Sequence, residues 1–280
     1  MTSITGGRMG LEASRQAALS RAIARTQAEI STGKRVERAS DDPAAAGRLA
    51  ELVRSTNALT GWHANISLAQ SLVGQADTVL GQLVDRLTRA HELVVSAGNG
   101  GLDAADRQNI GQELRAIADE VAGQALLRNS LDEPLFPSDA APAIPIGAGE
   151  ALVPVPSAGE LFSPVGGALV DRLRAAAAVV ELVDPALRAA QYAPILADVT
   201  AMGDHASAMR AMVGVTAARL DVAADRLDSQ KLTLATERSG LEDTDIGEAM
   251  TRLSAQQLTL EAAQAAFARI HRRTLFDILG

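Results

Sequence analysis

Seven apolar residues, Leu52, Leu59, Ile66, Val73, Leu80, Leu87 and Val94, recur at intervals of seven, and Ala69, Ala76, Leu83 and Ala90 stand three places after the middle four. An α-helix turns once in about 3.6 residues, so this spacing draws one narrow apolar seam along a single helix. It predicts a helix from about residue 43 to 97, roughly 80 Å long at the usual rise. Asp42 followed by Pro43 is a fitting start, because the carboxylate can accept from free amides and proline suits the first turn. Gly98-Asn99-Gly100-Gly101 is an equally clear stop. A lone helix with such a seam must find another helix to cover it.

The rest of the chain supplies candidates. Asp103 with Asp106 three places on predicts a capped helix start, and Ile110, Leu114, Ile117 and Val121 mark its buried stripe as far as about Arg128. Between Leu131 and Gly167 lie seven of the ten prolines and five acidic residues with no basic one, a composition that predicts no helix there. Ile144 to Ile146 and Leu152 to Val155 could pair as a hairpin, or the insert could be irregular and exposed. Helical pattern returns near Ala168 and beyond Pro194 becomes a second heptad series, Val213, Leu220, Leu227, Leu234 and Leu241. Gly240 is expected to break or bend that helix, with Asp243 or Thr244 capping the next. Ile246, Leu253, Leu260 and Phe267 then step by seven toward the C-terminus, while Leu19, Ile23 and Ile30 give a first helix, about 5–32, that closes at Gly33.

These patterns predict a mainly α fold: a long antiparallel helical bundle or coiled coil built from the N- and C-terminal halves, with a short irregular or β-hairpin insert. Three regions follow. Residues 1–42 and 241–280 form a terminal helical pair with its connecting spoke, 43–130 and 168–240 a helical bundle rod, and 131–167 the proline-rich insert.

Composition removes several functions. With no cysteine there is no thiol catalysis, disulfide or thiolate metal site. The four histidines, His63, His91, His205 and His271, include no pair at helical metal-binding spacing, and His63 and His91, though 28 residues apart on one heptad face, would be separated by roughly 42 Å. They read as residues flanking the seam. The glycine pairs lack the lysine of a phosphate loop and the preceding strand of a dinucleotide site. Asp41-Asp42 and Glu242-Asp243 sit at predicted helix starts, where the helix dipole favours negative charge. No catalytic residue, metal ligand or cofactor emerges, and the expectation is a protein that is not an enzyme. Residues 1–40 carry a net charge of +4 within an overall −8, but these bases are spaced singly without aromatic partners, so nucleic-acid binding is not expected. The longest apolar run, Ala175 to Val180, is far too short to span a membrane, and Met1 to Gln16 lacks the apolar block of a signal peptide.

Ile30-Ser31-Thr32-Gly33-Lys34-Arg35-Val36, followed by Ala39-Ser40-Asp41-Asp42-Pro43-Ala44, resembles the N-terminal signature of the flagellin family. Ile66-Ser67-Leu68-Ala69-Gln70, the run from Glu92 to Gly100, and Leu241-Glu242-Asp243-Thr244-Asp245 are similar to further stretches of it. The resemblance covers roughly residues 4–130 and 200–279. Glu261 to Phe267 and the ending Leu275 to Leu279 resemble the members at the junction between hook and filament, whereas filament subunits usually end differently; Gly280 extends past the family's usual terminal leucine. The resemblance implies a structural subunit of the bacterial flagellum, with a filament flagellin as the alternative and a cytosolic coiled-coil adaptor as the distant one. It further implies terminal helices paired in a tube around a central channel, and type III export without a cleaved signal. The implied partners are copies of the chain, flagellin, other hook-associated proteins and an export chaperone on the C-terminal helix.

On this reading Leu19, Ile23, Ile30, Ile246, Leu253, Leu260, Phe267 and Phe276 are candidates for the assembly interface. Leu52, Leu59, Ile66, Val73, Leu80, Leu87, Val94, Val213, Leu220, Leu227 and Leu234 would hold the bundle seam. Gly33, Arg35, Asp41, Asp42 and Pro43 would form the spoke and cap. A terminal helix with one apolar stripe is marginal alone, which predicts that it orders only when neighbouring subunits cover it.

Overall fold

Proline and glycine punctuate the chain, and the long uninterrupted stretches between them are helical. The computed structural model describes the backbone of residues 2–164 and 166–279, and the side chains of residues 10–164 and 166–269. The elements in order are α1 (Thr2–Thr32), α2 (Pro43–Ala97), α3 (Ala104–Ala125), β1 (Ile144–Gly147), β2 (Glu150–Leu152), α4 (Ala158–Phe162), α5 (Leu169–Val180), α6 (Pro185–Glu242) and α7 (Ile246–Leu279). The fold is mainly α, with one small antiparallel sheet. Two compact units divide it: residues 1–57 with 231–280, and residues 58–230. α2 and α6 contribute to both.

In the larger unit the seam of α2 is fully covered. Leu59, Ile66, Ala69, Val73, Ala76, Leu80, Leu83, Leu87, Ala90 and Val94 are buried, as are Val213, Leu220 and Leu227 of α6. Leu52, in the smaller unit, is buried too, whereas Leu234 there is half-buried. Alternating alanine with leucine or valine lets the helix axes approach closely, and polar pairs such as Gln70–Asp221 (2.9 Å) and Arg210–Asp77 (3.0 Å) fringe the seam. α3 and α5 pack together antiparallel, Arg115 reaching Glu181 and Asp119 reaching Arg174. Gly111 leaves room for the Glu181 side chain, since a Cβ there would stand 2.2 Å from Glu181 Oε1. The predicted capping box of α3 is formed by Asp103 and Asp106, but the helix ends at Ala125, three residues short of Arg128, which instead bridges to Pro134.

The insert departs from expectation. Ile144 pairs with Leu152 and Pro145 with Ala151, with a bulge before Gly147 and Gly149 at φ 73° in the turn. The second strand ends at Leu152, since Pro154 and Pro156 cannot donate to a ladder. The exclusion of helix from 131–167 is corrected by α4, one short proline-free helix whose box is closed by Ser157 and Glu160. Leu135, Phe136, Ile146, Leu161 and Phe162 are buried, and the rings of Phe136 and Phe162 meet edge to face at 5.6 Å. Acceptance of two hydrogen bonds from Ser157 holds the Glu160 carboxyl below its ordinary pKa.

Two boundaries of the second half also differ. The helical pattern that resumes near Ala168 is divided into α5 and α6: α6 begins at Pro185, capped by Asp184, and runs through Pro194. It also continues through Gly240 to Glu242, so Gly240 does not break it. Glycine costs a helix only about 1 kcal/mol, less than a helix of this length gains from its packed stripe. Neither Asp243 nor Thr244 caps α7: Asp243 accepts from Ser239, and Asp245 accepts from the amides of Gly247 and Glu248. Among the described residues no helix is long and apolar enough to cross a membrane.

Candidate assembly surface

The smaller unit brings the two chain ends together. α1 and α7 run antiparallel: Thr26 Oγ1 donates to Gln256 Oε1 at 3.2 Å, and Arg252 donates to Glu29 at 2.6 Å. Along α7 the stripe toward α1 comprises Ala249, Leu253, Gln256, Leu260, Ala263 and Phe267, of which Ala249 alone is fully buried. Leu19, Ile23 and Ile30 on α1 are likewise only half-buried. Ile246 stands apart at 50% exposure; it opens α7, and α1 ends at Thr32. Phe276 lies beyond residue 269, outside the described side chains.

Between the helices two short linkers lock onto each other. α1 closes in the left-handed turn of Gly33 (φ 71°), whose amide donates to Glu29 O; a positive φ of this kind is what glycine supplies at a helix end. Beyond it the chain pairs with the far linker: Arg35 N donates to Glu242 O at 2.7 Å and Thr244 N to Gly33 O at 2.9 Å, a bridge centred on Lys34 and Asp243. Side chains reinforce it. Glu242 accepts from Arg238 and Lys34, and Arg35 donates to Leu241 O and faces Asp42 at 3.6 Å. Asp41 accepts from the amide of Arg38, and Asp42 accepts from Ala45 N at 3.0 Å, capping α2 as Pro43 opens its first turn. Arg48 then ties α2 to Glu237 of α6 at 2.6 Å.

Magnitudes indicate what holds this unit. Exposed ion pairs contribute about 0–1 kcal/mol each, so Glu29–Arg252 and Arg48–Glu237 fix register more than stability. The main apolar term comes from stripes that remain partly open to water. Meanwhile Met250 and Leu258 of α7, and Leu11 of α1, are more than half exposed, so α7 carries more apolar surface than one partner helix can cover.

The linker clasp gives a pH prediction. Glu242 is held below the ordinary carboxylate pKa by Arg238 first and Lys34 second. A depressed folded value contributes stability that is fully present above the unfolded carboxylate pKa and lost as pH falls through the folded one. Glu242→Gln is therefore expected to lower stability at neutral pH and flatten the acid limb of the stability curve, measured by urea unfolding across pH; an unchanged acid limb would contradict it.

Sequence reasoning missed Thr26, Gln256, Ala249 and the Lys34–Glu242 pair. A signal existed for the first three: Thr26 is seven residues after Leu19, and Ala249, Gln256 and Ala263 form their own seven-step series. Their polarity or small size hid them from an apolar count. Among the described residues no group of histidines and carboxylates could hold a metal ion.

Paired chain ends, remote in sequence, that together make one surface define a class of helical subunit. Residues 12–128 match the bacterial flagellin N-terminal helical region and residues 197–279 the bacterial flagellin C-terminal helical region. The chain belongs to the flagellin family. It is 34% identical over 104 residues to flagellar hook-associated protein 3 of Salmonella typhimurium, covering 37% of this chain and 32% of that one. It is 32% identical over 99 residues to the flagellar filament 41 kDa core protein of Borreliella burgdorferi, covering 35% and 30%. The chain thus matches about a third of the length of these curated relatives. The crystal structure of FlgL from Xanthomonas campestris superposes with a TM-score of 0.60 at 15% identity, covering 67% of this chain and 99% of that one; at that identity the likeness concerns the fold.

Proposed function

We propose that this chain is a structural subunit of the bacterial flagellum, placed at the junction between hook and filament, and not an enzyme. The observation that carries the reading is the α1–α7 pair: two chain ends joined at Thr26–Gln256 and Glu29–Arg252 whose apolar stripes are only half covered. Residues 1–42 and 241–280 act as the assembly core, with Leu19, Ile23, Ile30, Ile246, Leu253, Leu260 and Phe267 in the contacts between subunits. The helical regions of 43–130 and 168–240 stabilise each subunit. Partners are copies of the chain, flagellin and other hook-associated proteins. Before assembly the chain is cytoplasmic, with a chaperone on the C-terminal helix, and it leaves by type III export; afterwards it is extracellular.

Junction placement is favoured over a filament role by the likeness to hook-associated protein 3 and by the tail sequence from Glu261 to Leu279. Immunogold labelling of intact flagella tests it. Gold confined to the zone where hook meets filament is expected; gold along the filament would assign the chain to the filament instead.

A further inference from the structure

The chain has five asparagines, and four are protected by their surroundings. Asn57 and Asn65 lie within α2 and Asn109 within α3, each followed by a side-chain-bearing residue and each with its backbone fixed by the helix. Asn65 also donates to Pro145 O at 2.8 Å. Asn129 is in a loop, but its Oδ1 accepts from the amides of Leu131 and Glu133, so its carboxamide is held.

Asn99 has none of these protections. It lies in the exposed turn between α2 and α3 and precedes Gly100, which is also exposed. Neither its carboxamide nor the Gly100 amide makes a hydrogen bond to any described residue. Glycine imposes no Cβ on the approach of its own nitrogen to the preceding side chain and gives the backbone the freedom that approach needs. The flanks of the turn are fixed: Asn99 N donates to Ser96 O, and Tyr192 Oη donates to Val94 O against Gly98, where a Cβ would stand 2.3 Å from that hydroxyl. Asn99 also lines an open pocket with Arg107 and Arg188. Both guanidiniums donate to loop carbonyls, those of Leu102 and Leu182, and neither has a carboxylate partner among the described residues. Positive charge beside a backbone amide favours its deprotonated, nucleophilic form.

We propose that Asn99-Gly100 is a site of spontaneous covalent modification, at which Asn99 is converted through a cyclic imide to aspartate and isoaspartate. The Gly100 nitrogen, having lost its proton to solvent, attacks Asn99 Cγ. A C–N bond forms, the bond from Cγ to the side-chain nitrogen breaks, and ammonia leaves. Water then opens the five-membered imide. Cleavage of the new Cγ–N bond gives aspartate, and cleavage at the original peptide carbonyl gives isoaspartate, with the chain rerouted through the side chain. The net change consumes one water, releases one ammonia and places a new carboxylate in the pocket of Arg107 and Arg188.

The test is peptide mapping by mass spectrometry of the full-length folded protein, incubated at mildly alkaline pH and sampled over time. Asn99 is expected to convert first, ahead of Asn129, and the converted peptide is expected to include a form that an isoaspartyl methyltransferase labels. Gly100→Val, whose Cβ meets nothing within 4 Å, is expected to fold with unchanged circular dichroism and to lose the conversion. Arg188→Gln is expected to slow it, whereas a merely loosened turn would speed it. Retention of the Asn99 amide while a short Asn-Gly control peptide converts would overturn the proposal, as would equal conversion at Asn129 or undiminished conversion in a folded Gly100→Val protein.

Discussion

Replacing Leu260 by aspartate is expected to leave the helical content and thermal unfolding of the lone chain nearly unchanged while blocking its incorporation into flagella. In the single chain Leu260 is half-buried, so a carboxylate there can turn to water. If α7 is closed off by neighbouring subunits, that escape is lost, and burying an unpaired charge costs several kcal/mol even after relaxation. At about 1.4 kcal/mol per factor of ten, incorporation should fall by about a hundredfold or more. Fractionation of sheared flagella with an antibody to the chain would measure it, and normal incorporation would refute the placement of Leu260 in a contact between subunits.

Leu80→Ala should do the converse. Leu80 is fully buried at the centre of the α2 seam, and truncating a leucine at such a site costs about 2–5 kcal/mol, the transfer term plus the cavity left behind. For a unit of this size each kcal/mol shifts the melting temperature by roughly 2–4 °C. The variant should therefore melt markedly lower in calorimetry, yet the copies still folded at low temperature should assemble. A melting temperature within a degree or so of the parent, against the several degrees expected, would mean that the seam residues do not carry the bundle. The two substitutions separate a residue needed for folding from one needed for association.

That separation also explains what could be read from the amino acids alone. The run from Leu52 to Val94 announced α2 because a period near 3.5 sustained over six heptad steps has one structural solution, and Pro43 and Gly98 bounded it. The insert was harder. Seven prolines signal an absence of long helix, but they do not reveal that Phe136 and Phe162 come together, since that contact depends on tertiary packing with no periodic trace. α4 escaped because a helix of five residues, Ala158–Phe162, is too short for a period to register. Gly240 misled for another reason: a propensity is a weak local preference, and the long packed helix around it outweighed one glycine.

The candidate surface was legible only in part for a similar cause. Leu253, Leu260 and Phe267 stand out on a heptad count, and Ile246 shares their register but is half exposed where they are partly covered. Thr26 and Gln256, which join the two ends of the chain across 230 residues of sequence, keep the seven-residue spacing of their stripes but are polar, so an apolar count passes over them. The clasp of Lys34 with Glu242 is similar: each residue sits in a linker, and only the approach of the two linkers gives either one a role.

On the proposed function, the chain ends become rigid only on assembly. Hydrogen exchange of the full-length protein, compared between the free subunit and isolated flagella, tests it most directly. Amides of α1 and α7 are expected to exchange rapidly in the free subunit, although those of α2 from Ala58 to Ala97 are slow, and to become protected by at least about two orders of magnitude on assembly, the difference between local and global opening. Full protection of both terminal helices in the free subunit would contradict the account.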